Sequence, residues 1–267
     1  MSTLVAPDER GCVQYQWNMA DILDVMPADD ISSYIGRLVQ IKFNGQIHCA
    51  QTGKLIKKTF GDGLSYNAWL ESPQTVESVL RPELSRIHEG VALRDFEWEQ
   101  AHHNQPHVVY LSKTGSLKVG VTRTTNQPYR WHDQGAVGAI VVAQTPYRQL
   151  AGQFEVALKE SFSDRTNYRK MLQQVQCSQN ELEEAREEAF ETLGLEYENF
   201  FDFETPSSFF QYPVLEYPKS VQSIRLDKTP EINDRLVGIK GQYLMFESSG
   251  AFNVRSHSGY RVSMRWL

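Results

Sequence analysis

The chain is predicted to be an α+β protein built around a small ββαβα unit. Three observations predict this. Two short apolar runs, His107–Leu111 and Leu117–Thr122, flank a Lys113-Thr114-Gly115-Ser116 turn, the pattern of a hairpin of buried strands. A third β-branched run, Ala139–Ala143, follows a short segment opened by Pro128. Leu150, Phe154, Leu158 and Phe162 then recur at every fourth position, an apolar stripe suited to a helix packed on a sheet.

Each element has its own local reason. Tyr34–Phe43 alternates like a strand, and Asn44-Gly45 before QIHCA predicts a β-hairpin. KLIKKTF follows and ends at the turn Gly61-Asp62-Gly63. The stretch from Leu64 to Gln100 is irregular, with short helical pieces such as PELSRIHEG. Pro128 suits the first turn of a helix that runs through Arg130 toward Gln134 and stops at Gly135. A second helix spans Arg148–Phe162. Ser178 and Glu181 form a capping box that opens an acidic helix ending at Gly194. Pro206, Pro213 and Pro218 mark a connector, and Gly238–Trp266 shows about three strands separated by Ser-Gly turns. The expected segments are a β-rich region (1–106), the central α+β unit (107–175), the acidic helix and connector (176–205) and a small C-terminal β unit (206–267).

At 267 residues, 40% hydrophobic and 22% charged, the chain can bury a real core. It has no run of about 18 apolar residues, so no membrane span is expected. MSTLVAPDERG lacks a basic-then-apolar leader. Cys12, Cys49 and Cys177 lie far apart, which predicts no disulfide framework and fits a cytoplasmic location. The net charge of −6 is unevenly spread. Residues 107–172 hold 9 Lys/Arg against 4 Asp/Glu, whereas 173–205 hold 1 against 10. A basic island inside an acidic chain suits a phosphate backbone, and is also common on solvated surfaces.

Within that island four residues could carry chemistry. Tyr110 closes the first strand and could orient or deprotonate a water; otherwise it is a core tyrosine with a satisfied hydroxyl. Gly120, in mid-strand, permits a close approach or marks a bulge. Arg130 could hold a phosphate with two parallel hydrogen bonds, or pair with Asp133. Glu155 lies beside the apolar stripe of its helix and could bind Mg²⁺, or sit at the helix edge.

In order, these residues resemble the GIY-YIG nuclease superfamily. There, one strand ends a first motif in tyrosine, the next ends a second motif in glycine, a helix supplies an arginine and a later helix a metal-binding glutamate. Val108-Val109-Tyr110 matches the first motif and Lys118-Val119-Gly120 the second, with Lys118 in place of its tyrosine and a shorter spacing between strands. Arg130 and Glu155 match the helix residues, and Asn167 stands for a late asparagine. The resemblance implies Mg²⁺-assisted phosphodiester hydrolysis of DNA or RNA. Tyr110, Arg130 and Glu155 would be catalytic, Glu155 would hold the metal, and Lys118, Gly120, Arg123 and Asn167 would contact substrate. Two other readings stay open: a binding module that has lost the chemistry, and a protein whose acidic helix docks a partner or packs across the basic island. None of these fixes DNA against RNA or an oligomeric state.

A longer match, carried by VYLSKTGSLKVGVTR, RWHDQGA, AGQFEVALK, DRTNYRKML and GIKGQYL, resembles the bacterial family called domain of unknown function 2797. Many of its members carry cysteine pairs upstream of the VYL strand. Here Cys49 remains, with Tyr66, Ala68, Ser78 and Ser85 about where the others would fall. His48, His88, His102 and His103 are the further candidate ligands in residues 47–103. No paired spacing survives, so zinc is not expected.

Overall fold

The computed structural model describes residues 1–4, 7–8, 11–17 and 29–267. Val5, Ala6, Glu9 and Arg10, part of the stretch read for a leader, lie outside the described residues. The chain is α+β. Its strands are β1 (Ser2–Thr3), β2 (Tyr15–Trp17), β3 (Asp29–Asp30), β4 (Leu38–His48), β5 (Leu55–Ile56), β6 (His107–Lys113), β7 (Leu117–Arg123), β8 (Gly138–Thr145), β9 (Ser208–Phe209), β10 (Ser223–Ile224), β11 (Glu231–Lys240), β12 (Tyr243–Phe246), β13 (Gly250–Asn253) and β14 (Tyr260–Trp266). Its helices are α1 (Tyr66–Glu71), α2 (Glu77–Leu80), α3 (Phe96–His103), α4 (Tyr129–Asp133), α5 (Arg148–Leu158), α6 (Tyr168–Met171) and α7 (Gln179–Leu193). Two units divide these elements. The first holds residues 1–71, 172–174 and 211–267, and the second holds 72–171 and 175–210.

The first unit is organised on β4. Val39 and Ile41 are buried while their neighbours face outward, the period of a half-buried strand. β11 pairs antiparallel with one edge of β4 and β14 with the other, in the sheet order β10-β13-β12-β11-β4-β14, with β5 also on β4. The expected hairpin at Asn44-Gly45 does not form: β4 runs straight through it. Tyr260 faces Ile47 and Val262 faces Phe43, so the extra residues are absorbed as a bulge. Gly45 supplies the positive φ of 86° found there. A turn signal has become an irregularity because partners on both edges keep the strand extended.

The second unit carries a four-stranded antiparallel sheet, β7-β6-β8-β9. Alternation along its strands sorts side chains onto two faces. Val109, Leu111, Val119, Ile140 and Val142 pack with Phe154 and Leu158 of α5 and with Leu182, Ala185, Ala189 and Leu193 of α7. The other face holds Val108, Tyr110, Ala139 and Val141 with Trp131 of α4. Ser178 caps α7, its Oγ accepting from the Glu181 N–H at 3.1 Å, and Glu181 in turn pairs with Lys113. The acidic helix is therefore held by its apolar stripe on the face opposite Tyr110, and does not lie over that residue.

Candidate functional site

Tyr110 on β6 stands directly across from Gly120 on β7. A Cβ on Gly120 would come within 2.6 Å of the phenol oxygen, so only glycine lets the ring lie across the neighbouring strand. The Tyr110 hydroxyl donates to Gln134 Oε1 at 3.3 Å, and Trp131 meets the ring edge-on at 5.8 Å. Arg130, one turn before Gln134, is carried to the same phenol. Burial pushes the Tyr110 pKa up; Arg130 and Gln134 oppose this, and the Glu155 carboxylate adds to it. The phenol thus stays protonated near neutral pH and acts as a hydrogen-bond donor rather than a base.

Lys118 shares the face of Gly120, two residues earlier, opposite buried Ser112. It is 5% exposed, and its amine has no ion pair or hydrogen bond among the described residues. Burial, helped by the charge of Arg130, lowers its pKa to about 8, against the pull of Glu155 and Asp164. The outer edge of β7 is covered by the chain leaving α5, where the Val119 N–H donates to Ser163 O at 2.8 Å. That crossing brings Asp164 alongside Lys118.

Glu155 is on α5, its side chain 13% exposed. Burial raises its pKa, opposed by Lys159, 3.9 Å away, and by Arg148, while Glu83 and Asp164 push it higher. Arg148 opens the same helix two turns earlier. Its Nε and Nη2 each donate at 2.8 Å, to the carbonyls of Ser78 and Val79. Burial lowers its pKa to about 10, with Glu155 opposing and Arg130 and Arg123 adding. A Cβ at Gly152 would collide with Pro82 and with the Glu83 backbone nitrogen. The glycine lets that segment lie against α5 and brings Glu83, one oxygen of which is buried without a hydrogen bond, into the neighbourhood of Glu155.

Arg130 and Glu155 each act electrostatically on both Tyr110 and Lys118, although α5 packs on the sheet face opposite Tyr110. Arg123 acts instead on Arg148, His103 and His107. Asn167 caps α6, its Oδ1 accepting from the N–H groups of Arg169 and Lys170. Arg148, Glu83, Gln134 and Asp164 were not singled out from sequence. Gly152 in mid-helix was the available signal for the first two, since a helix interior tolerates glycine at a cost of about 1 kcal/mol unless something must come close.

A family model described as protein of unknown function (DUF2797) matches residues 36–262. The chain belongs to the DUF2797 family. The matched stretch includes every residue of the site just described. No curated protein and no solved structure matches this DUF2797 chain.

The upstream residues of the DUF2797 chain are engaged individually. Cys49 Sγ accepts from the Ser65 N–H at 3.2 Å. Burial would raise this thiol, but N–H and hydroxyl donors at Thr52, Ser65 and Gln51 outweigh it and hold the pKa below the usual range. His48 Nδ1 lies 3.0 Å from Gly53 O. His88 stacks on Tyr147 at 4.1 Å, His102 Nδ1 meets Trp98 O at 2.8 Å, and His103 Nδ1 lies 3.4 Å from Ser85 Oγ. Among the described residues, no group of three or more His, Cys, Asp or Glu could hold a metal ion, and no helix is long and apolar enough to cross a membrane.

Proposed function

We propose that this DUF2797 protein is a divergent GIY-YIG-like nuclease, acting on nucleic acid by Mg²⁺-assisted phosphodiester hydrolysis. One observation carries the reading: a tyrosine, a lysine, an arginine and a glutamate from two strands and two helices share one electrostatic neighbourhood. The order of elements supports it, because β6 and β7 form the hairpin, α4 supplies Arg130, β8 joins the other edge of β6, and α5 supplies Glu155.

The donor set suits Mg²⁺ bound mainly by substrate. That ion commonly takes one or two carboxylates and completes its shell with phosphate and water, and Glu155 is the carboxylate whose charge acts on both Lys118 and Tyr110. When bound, the ion would polarise the scissile phosphoryl group. Arg130 holds the phosphate and offsets the charge that develops on it. Tyr110, kept protonated with its proton on Gln134, orients the attacking water by accepting a hydrogen bond from it. Lys118 supplies a buried positive charge at neutral pH, and its low pKa lets it accept a proton from water on the alkaline side. Arg123 extends the basic lining.

A second reading, a binding module without turnover, is favoured by one observation: a cationic Lys118 without an ion-pair partner can hold an anion with no chemistry following. Incubation with labelled single- and double-stranded DNA and RNA in Mg²⁺ or Mn²⁺ separates the two. The nuclease reading expects metal-dependent cleavage that falls about 100-fold or more in Arg130→Ala and Glu155→Gln. Salt-sensitive binding with no cleavage, unchanged in Glu155→Gln, establishes the module instead.

A further inference from the structure

The first unit carries a feature outside that site. The Gly61-Asp62-Gly63 turn, with φ of 53° and 89° at the glycines, folds the chain back so that Phe60 and Leu64 exchange backbone hydrogen bonds of 2.8 and 3.0 Å. Helix α1 then presents Tyr66 and Trp69, three residues apart on one face. Their rings are near-parallel, 6.3 Å apart with 21° between planes, and the Phe60 ring lies 5.2 Å from Tyr66. Tyr66 is 53% exposed. Packing holds the rings in place: Gly61 leaves room for the Trp69 edge, and Arg255 grips Asp62 with bonds of 2.9 and 2.6 Å.

One lysine lies against these rings, and two more lie close to it in sequence. Lys58 Nζ lies 5.2 Å from the Phe60 ring centre. Lys54, Lys57 and Lys58 are exposed and make no ion pair among the described residues. The acid of the turn, Asp62, is already paired with Arg255. An exposed tyrosine ring, with half-buried Phe60 and Trp69 behind it and cations free of ion pairs beside it, matches a ligand that alternates flat π-surfaces with negative charge. A duplex hides its base faces, and a peptide of Asp and Glu alone has no rings to stack. We propose that Phe60, Tyr66 and Trp69, with Lys54, Lys57 and Lys58, form a docking platform for single-stranded nucleic acid, bases on the rings and phosphates on the lysines. The platform shares a ligand class with the nuclease reading but does not depend on cleavage.

The test is fluorescence anisotropy of the full chain with a labelled 15-nucleotide oligo(dT) in EDTA, so that cleavage cannot interfere. Binding should weaken with salt, and three phosphate contacts give a slope of log K against log salt near −2. Tyr66→Ala and Trp69→Leu should each weaken it about fivefold or more, the range of base stacking on exposed rings. Replacing all three lysines with Gln should flatten the salt slope, and this arm stands even if an aromatic variant misfolds. Loss of cleavage with intact binding would count against the nuclease alone. The platform is overturned if the wild type does not bind the oligonucleotide, if well-folded aromatic and lysine variants bind it unchanged, or if decaglutamate competes as well as the oligonucleotide does.

Discussion

Replacing Lys118 by Met should make the protein more stable, and by an amount that depends on pH. Met keeps the length of the lysine stem and removes the charge. Burial is the main cause of the fall in the Lys118 pKa from 10.5 to about 8. At about 1.36 kcal/mol per pKa unit, this gap corresponds to a ceiling of about 3 kcal/mol. Between pH 8 and 10.5 the unfolded chain holds the proton and the folded chain does not, so wild-type stability rises across that window. Below pH 8 both forms are protonated and the full cost of the buried charge remains. The Met variant should therefore be about 1–3 kcal/mol more stable at pH 7, and its advantage should shrink toward zero by pH 10.5. Lys240, also lowered to about 8 by burial, titrates in the same window but is common to both proteins and cancels in the difference. Urea unfolding of the two proteins at pH 7 and pH 10.5 measures the effect. A Met variant equally stable or weaker at pH 7, or an advantage that does not change with pH, would refute the assignment of Lys118 as a buried cation whose desolvation outweighs the pull of Glu155 and Asp164.

Two further outcomes follow from the same unit. Gly152→Ala should lower stability by about 1–3 kcal/mol in urea unfolding, because the collision with Pro82 and Glu83 outweighs the helix-propensity gain; a stabilised variant would mean that the two segments are not in close contact. Burial holds His103 at about 3 and His107 at about 4, below the usual 6.5, so their contribution is complete above pH 6.5 and lost as pH falls toward 3. His103→Asn should therefore lose less stability than the wild type between pH 6.5 and 3.5, and identical acid profiles would remove this cause.

Elements fixed by short-range chemistry were legible in the sequence. The hairpin at 107–123, the helix cap at Ser178 and the stop at Gly194 all follow from neighbours a few residues away. The pairing of Tyr110 with Gly120 was implicit in that hairpin, since the turn sets the register. What escaped depends on distant partners. Asn44-Gly45 carries a strong turn signal, yet β14, about two hundred residues later, pairs with β4 on both sides of it. Arg148 and Glu83 depend on a backbone approach whose one local trace was Gly152 in mid-helix. Asn167 illustrates the opposite case: a residue type matched to a distant role is engaged in capping its own helix.

The position of β4 has a consequence for the newly made chain. Its two main neighbours lie at residues 231–240 and 260–266, so translation exposes this apolar strand long before either partner leaves the ribosome. The second unit needs nothing beyond residue 210 and can close while β4 still waits. At about 5–20 residues per second, that wait lasts on the order of ten seconds or more, during which Val39 and Ile41 have no sheet to enter. Slow, late closure of this kind is the usual signature of non-local β pairing. It makes residues 38–48 the segment on which a chaperone, or another unfinished copy, would first act.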